Sequence, residues 1–492
     1  MARSSQVEGR TPVLVGIGVA SQREDDPLRA KDALSLMLEA ARRAGVDAEA
    51  PTLLAEAEQV YVPKGRWKYA DPGRYIAKSI GAARARSILS TVGVLQQTLI
   101  GSACAAISRG EIGAALVIGG DAGYRILRCK IGGVEPQEPH ADGTPDTLLA
   151  PKEELRHPAE LRAGMRMPVG LYAMIESAFR ARHGWSVLEH RARLGALYSR
   201  FSAIAAENPQ SWTRQTLEAD AVNEASERNP MQAFPYTRRL CSSWNVDQAA
   251  ALLFCSVEMA ECFAIPKHRW IFPWASSESN HMVPVSARAE LDRCPGAYIA
   301  GSAALGETNI RNVDLIELYS CFPVAVETYA EALGIQHGKD LTVTGGMSFA
   351  GGPYNNYVLQ ATARMGELLR QGRGRTGLIG SVSGVLTKQG FGLFSTEPAA
   401  NGFRFADVSD EVARATATKE VVVDANGAGR IAGFSVLFDG GLPAKGVAIV
   451  NLADGRRTVA NTEHVTTIGT MLEHELCGAQ VLVEGAQFRL TS

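Results

Sequence analysis

The chain has 492 residues, 46% hydrophobic and 21% charged, enough for about three or four core-bearing units in a compact multi-domain body. Its formal net charge is only −2 with no long block of one sign, which excludes the electrostatic footprint of a nucleic-acid binder or a polybasic membrane binder. The eight cysteines show no CxxC pairing and the nine histidines no HxxxH or ligand-like cluster, so free thiols and no metal site are expected.

No signal-type apolar region opens the chain, and no stretch approaches the ~18 uninterrupted apolar residues of a membrane span; a cytoplasmic protein with small-molecule or protein partners is expected. VLVGIGVA (13–20) reads as a buried strand, and PLRAKDALSLMLEAARRAG (27–45) as an amphipathic helix with proline early and glycine at its end. EQVYVP (58–63) is a second short strand. Residues 85–122 follow as a strand-turn-helix-strand unit, in which a turn at Val92-Gly93-Val94 opens an apolar helix aimed at a strand over 114–118. Such alternation predicts α/β layering with parallel strands. A helical insertion spans 123–239, with the capping-box spacing Ser186 to Glu189 before one of its helices.

Strand signals return at AAALLFCSV (249–257), and PGAYIAGSAAL (295–305) echoes the opening VLVGIGVAS, which predicts a duplicated half. VDLIELYSCFPVAVETYAEALGI (313–335) is a second strand-turn-helix unit built like the first. A glycine-rich segment over 341–372 leads to the strand TGLIGSVSG (376–384). Past Pro398 the composition shifts. KEVVVD, AGFSVLF, GVAIVNL, RRTVAN, AQVLVEG and AQFRL read as short strands, with hairpin turns at Asp439 and Asp454 and one helix near 466–475. This tail is a small β-barrel, OB-like if the helix forms, with an SH3-like barrel as the alternative. Its thin aromatic and basic content favours a docking or structural module over an oligonucleotide site.

Residues 10 to about 398 resemble the thiolase superfamily, and within it the sterol-carrier-protein type and its thiolase-like relatives. The carrying motifs, in order, are SRGEIGAALVIGGDA, NPMQAFPYTRRLCSSWNVDQAAALLFCS, IELYSCFP, and GGMSFAGGP followed by SVSGVLTKQGFG. The resemblance implies two fused βαβαβαββ halves in a five-layer α/β/α/β/α body. Residues 1–122 and 240–257 form the N-terminal half and 258–398 the C-terminal half, with 123–239 as a loop domain that holds coenzyme A. The barrel, 399–492, is additional to the basic thiolase pattern.

The departures from that pattern bear on chemistry. A thiolase takes the acyl group on a cysteine at the first turn, because a thiolate is both a strong nucleophile and a good leaving group. That position falls on Gly93, and Cys104 lies deeper inside the helix, where it reads as core. The family's GHP histidine falls on Gly352, and its second cysteine near 381–383, with Ser383 as the candidate. Serine is a poor unaided base. Losing a covalent nucleophile costs on the order of a millionfold in turnover, so Claisen chemistry through an acyl-cysteine is not expected.

Where thiolases carry NEAF, or the sterol-carrier type HDCF, this chain has Tyr319-Ser320-Cys321-Phe322, and Tyr354 follows GGP. A phenol at a helix N-terminus is expected to have a lowered pKa. Thiolase-like aldolases that act on acyl-CoA side chains also dispense with the cysteine, use tyrosines in this region and pair with an OB-fold partner; by resemblance Tyr319 and Tyr354 are the candidate catalytic residues. For coenzyme A or acyl-CoA, the resemblance points to Ser243, with Arg238, Arg239, Gly346 and Phe322 as further candidate contacts. Three readings follow: a coenzyme A-binding acyltransferase-type fold of lipid metabolism without thiolase chemistry; a tyrosine-assisted retro-aldol lyase; or a scaffold whose barrel recruits a protein. Monomer and homodimer stay open.

Overall fold

A computed structural model describes residues 8–491; the first seven residues of the N-terminal half and Ser492 of the barrel lie outside the described residues. The first half runs β1 (Pro12–Gln22), α1 (Ala33–Asp47), β2 (Gln59–Pro63), α2 (Pro72–Ser79), β3 (Arg86–Ser90), α3 (Gln96–Ser108) and β4 (Ala114–Ala122). Helix α1 starts six residues after Pro27, because the Asp32 side chain accepts the Ser35 N–H (2.9 Å) and caps it there.

The insertion contributes α4 (Gly123–Gly132), β5 (Thr147–Leu149), α5 (Pro158–Arg162), α6 (Pro168–Arg182), α7 (Val187–Glu207), α8 (Ala219–Asn223), β6 (Met231–Ala233) and β7 (Tyr236–Thr237). Ser186 and Glu189 form the expected capping box at the start of α7. The chain then returns through β8 (Asp247–Ser256), which runs antiparallel between β1 and β4, to α9 (Val257–Cys262). The first sheet has the order β1-β8-β4-β2-β3-β5, with β2, β3, β4 and β5 mutually parallel.

The second half runs β9 (Phe272–Ser279), α10 (Pro295–Leu305), β10 (Leu315–Glu317), α11 (Pro323–Ala332), α12 (Tyr357–Arg370), β11 (Thr376–Ser383) and β12 (Lys388–Ser395). Its sheet, β10-β11-β12-β9, repeats the order and pairing directions of β2-β4-β8-β1, and β13 (Arg404–Asp407) extends it parallel to β9. The duplication is therefore real, but its opening strand is β9. The segment expected to echo β1 is α10: Pro295 occupies its first turn, and Ala297, Ala300, Gly301 and Ala304 lie buried on one face at helical spacing.

Helices α3 and α12 lie between the two sheets, α1 and α2 cover the outer face of the first, and α10 and α11 that of the second, which makes five layers. The 313–335 unit is thus not built like the first. Its helix α11 is an outer helix packed on α6, and the partner of α3 in the middle layer is α12.

After α13 (Ser409–Ala415) come β14 (Ala425–Asp439), β15 (Leu442–Leu452), β16 (Arg457–Thr462), α14 (Val465–Glu473), β17 (Gln480–Gly485) and β18 (Gln487–Leu490). The strands close in the order β14-β15-β16-β18-β17, with β16 parallel to β18 and the helix between the third and fourth strands. That is the OB-like arrangement. KEVVVD forms no strand; Val421 makes an isolated bridge to Arg457. Phe434, Val436, Val450, Met471 and Val483 fill the barrel core.

The barrel is locked to the body. The buried Arg457 guanidinium donates to the carbonyl oxygens of Ser286 (3.2 Å), Arg288 and Ala289 (3.1 Å) and to Asn451 Oδ1 (2.8 Å), while Arg180, with no exposed surface, pairs with Glu475 at 2.7 Å. An Arg457→Met substitution strands these buried carbonyls, and each lost charge-assisted bond is worth roughly 1.5–3 kcal/mol. Urea unfolding is expected to show a loss of about 3 kcal/mol or more, with the barrel transition separating from that of the body.

Candidate functional site

A cavity of about 760 Å³ opens where both halves, the insertion and the barrel meet. Four helices point their N-termini into its wall: α3 behind Val92-Gly93, α6 behind Met167-Pro168, α11 behind Phe322 and α12 behind Tyr354-Asn355. None of the four has a hydrogen bond from its own N-cap side chain. Their aligned dipoles give the wall a positive character suited to a carbonyl oxygen or an anion; first-turn N–H groups reach the lining at α6, through Val169 and Gly170, while α6 and α11 each open on a proline that has no N–H.

The two middle-layer helices are tied together at these ends. Gln96, buried in the first turn of α3, accepts the Val358 N–H of α12 through Oε1 (2.6 Å) and donates to Asn355 Oδ1 (3.3 Å). Below them Glu317, at the end of β10 and fully buried, accepts from Tyr357 Oη (2.5 Å), Val343 N (2.7 Å), Thr344 N (2.9 Å) and Thr342 Oγ1 (2.9 Å). Ser320 Oγ takes the Met347 N–H (2.9 Å). Together these bonds fold the glycine-rich loop back over Tyr319 and Cys321.

Gly93, Gly352 and Ser383, far apart in sequence, all face the cavity, together with Tyr319, Tyr354 and Phe322. Gly93 has φ +100°, and a Cβ there would sit 2.9 Å from Pro151 Cγ. A Cβ on Gly352 would lie 2.1 Å from Ser242 Oγ. A cysteine at the first position is thus disfavoured by conformation and space, and a histidine at the second requires the Ser242 hydroxyl to move. Phe322 stacks between Tyr172 (centroids 4.5 Å) and Tyr236 (5.5 Å).

The other sequence candidates stand outside the cavity wall. Arg239 donates to the Ala221 carbonyl (2.5 Å) and Arg238 is exposed. Gly346 packs on Phe201 with its N–H on Thr342 Oγ1 (3.0 Å). Ser243 uses its backbone to hold Met347 and Gly352 (3.0 and 2.8 Å), while its neighbours Ser242 and Trp244 reach the wall.

The electrostatics differ from expectation at Tyr319. Burial pushes its phenol up, the neighbouring Cys321 adds to this, and hydrogen bonding to Gln96 opposes it only in part. Desolvation dominates, so Tyr319 is a neutral phenol. The cavity thiols are equally unactivated: burial pushes Cys321 up to about 12, and pushes Cys241 up as well. All eight cysteines are free.

Behind Tyr236 lies a polar cluster that sequence spacing did not reveal. Among the described residues, Glu176 of α6, His190 of α7 and Glu327 of α11 bring donor atoms within 4.8 Å of one another. Tyr236 Oη donates to Glu176 (2.5 Å), and His190 Nε2 lies 2.9 Å from the same carboxylate. Burial and the Glu176 charge push Glu327 well up. Gln96, Glu317, Pro151, Tyr172 and Cys241 were also missed; only the polar Gln96-Gln97 pair inside an apolar helix was a visible signal.

No family model and no curated protein sequence matches the chain. Among solved structures it is similar to a monomeric SCP2-thiolase-like protein type 1 from Mycobacterium smegmatis, at 26% identity and TM-score 0.84 over 99% of this chain and 100% of that one. It is also similar to an Ltp2-ChsH2(DUF35) aldolase (16%, TM-score 0.60, 80% of this chain and 99% of that one) and to human mitochondrial 3-ketoacyl-CoA thiolase solved with CoA (16%, TM-score 0.53, 79% and 99%). The fold is that of the thiolases with a closed C-terminal barrel added. No helix among the described residues is long and apolar enough to cross a membrane.

Gly93→Cys is expected to lower stability by about 1–3 kcal/mol, the cost of a side chain in a disfavoured backbone region. Intact-mass spectrometry after incubation with acetyl-CoA is expected to show no acylated protein.

Proposed function

We propose that the protein binds coenzyme A thioesters in this cavity without the cysteine-dependent acyl transfer of a thiolase. The observation that carries the reading is the convergence of Gly93, Gly352 and Ser383 on one cavity ringed by helix N-termini. The resemblance assigns these positions to the nucleophile, the histidine and the second cysteine. What survives is the electrostatic half of the machinery: backbone donors and dipoles that hold a thioester oxygen, which act without any nucleophile. Attack by the thiols on the wall is opposed by their raised pKa values, since the thiolate is the reactive form. The CoA in the human thiolase structure supports the ligand class.

A second reading is favoured by the placement of Tyr319 and Tyr354 on the same wall. In a retro-aldol cleavage of a β-hydroxyacyl thioester, the hydroxyl gives up its proton and the Cα–Cβ bond breaks. Its electrons pass to the thioester as an enolate, which is then protonated at Cα. The neutral Tyr319 suits donation to the enolate oxygen or to Cα, and the hydroxyl proton needs a base, a role Tyr354 on the same wall fills in this reading only as its phenolate. The aldolase among the structural neighbours supports this class. The third reading, a scaffold acting through its barrel, requires that the cavity take no acyl-CoA.

Calorimetry with coenzyme A and with short and steroid-like acyl-CoA is expected to give saturable binding; its absence overturns the first two readings. If the lyase reading holds, Tyr319→Phe lowers turnover about 10²–10⁴-fold with acyl-CoA affinity within a few-fold of the parent, and full turnover by the variant excludes Tyr319 as the acid.

A further inference from the structure

The cavity wall is completed by the barrel. Leu437 and Phe438, near the hairpin end of β14, line it together with Met165, Met167 and Val169 of the insertion. Their positions are fixed by docking. The Phe434 N–H donates to the buried Ser177 Oγ of α6 (2.8 Å), Ser435 Oγ donates to the Phe234 carbonyl (3.0 Å), and Leu437 pairs with Ala233 of β6. A side chain on Gly170, in the first turn of α6, would lie 3.0 Å from Leu437 Cδ2 and 2.7 Å from Met165 Cε, so these two side chains close over that turn. The side chains of Met165, Met167, Val169, Leu437 and Phe438 make this part of the wall largely apolar, with Arg166 and Gln232 beside them, while the tyrosines, Ser383, Asn355 and the charged Lys152, Glu153 and Glu154 line the rest. Methionine walls adapt to bulky, irregular hydrocarbon shapes, and the whole cavity falls within the about 300–1,000 Å³ of sites that enclose ligands of drug size.

From this juxtaposition we infer that Leu437 and Phe438 of the barrel, with Met165 and Met167, form the subsite for the apolar acyl group of the bound thioester, which makes the barrel a determinant of acyl-group size. The inference rests on the coenzyme A-thioester reading and adds to it the place and the selecting residues of the acyl group. A docking module for another protein has no use for side chains turned into the cavity of its own body. The Arg457 and Ser177 contacts hold the hairpin as a fixed wall, so selection is steric.

The test is calorimetry with coenzyme A, a short acyl-CoA and a bulky polycyclic acyl-CoA, on the full chain and on Phe438→Ala and Leu437→Trp, each checked for folding by near-ultraviolet circular dichroism. Coenzyme A, which has no acyl group, is the reference. Phe438→Ala is expected to lower the ratio of bulky-thioester to coenzyme A affinity about tenfold. Leu437→Trp is expected to lower the ratio for the bulky thioester and leave that for the short one. Either shift supports the inference, so failure of one variant to fold leaves the other decisive. Ratios unchanged in the folded variants, or a parent protein that binds coenzyme A with no response to acyl size, overturn it and leave the coenzyme A reading standing. A parent that binds neither coenzyme A nor any thioester overturns both.

Discussion

The cavity depends on one fully buried carboxylate. Glu317 carries no exposed surface, and burial alone drives its pKa up; the donors from Tyr357, Thr342, Val343 and Thr344 are what offset that cost. An uncompensated buried charge is worth several kcal/mol of destabilisation, so the glycine-rich loop cannot leave Glu317 without exposing it. The loop in turn carries Met347 and Gly352 to the wall, and Tyr357 of the same cluster packs edge-on against Tyr319 at 5.8 Å. The position of Tyr319 relative to Gly93 and Tyr354 is thus set by a network that touches no ligand.

The same economy explains how the site is open yet not disordered. Four helix ends of like polarity repel each other in a shared space, and each leaves first-turn N–H groups without a side-chain cap. Gln96 relieves one such end by accepting the Val358 N–H across the gap between α3 and α12. At α6, whose first-turn residues Val169 and Gly170 line the cavity, a thioester carbonyl or an anion is the kind of group that the proposed function sets against such donors.

Much of this was legible in the sequence, and the failures have physical causes. Alternation of strand and helix periods identified the α/β layering, and the hairpin turns with a helix near 466–475 identified the barrel. The misreading of α10 came from small residues: alanine and glycine carry no period-2 contrast, and Pro295 marked a helix start instead of a strand end. The placing of Gly93, Gly352 and Ser383 on one wall was reachable through the family resemblance. The Glu176–His190–Glu327 cluster and the Leu437–Phe438 wall were not, because each draws on elements brought together only by packing of α6 against α7, α11 and β14. The expected dipole-lowered Tyr319 failed for a quantitative reason. A helix end offers a fraction of a unit charge, whereas excluding water from a phenolate costs more.

The departures from the thiolase pattern at Gly93 and Gly352 involve the backbone and its neighbours as well as the side chains. At φ +100°, with Pro151 Cγ 2.9 Å from where a Cβ would sit, this backbone disfavours a side chain at position 93, and Ser242 Oγ lies in the space a side chain at 352 requires. Yet the space between them has not been filled. A core that had merely lost its chemistry gains stability by packing larger apolar side chains into such a volume, since unfilled space forfeits dispersion contacts. Here the opposite is maintained: Glu317, Gln96 and the docked barrel each spend buried polar bonds to keep the walls apart. Retained volume beside Gly93 and Gly352 is what the proposed thioester-binding site requires of this fold.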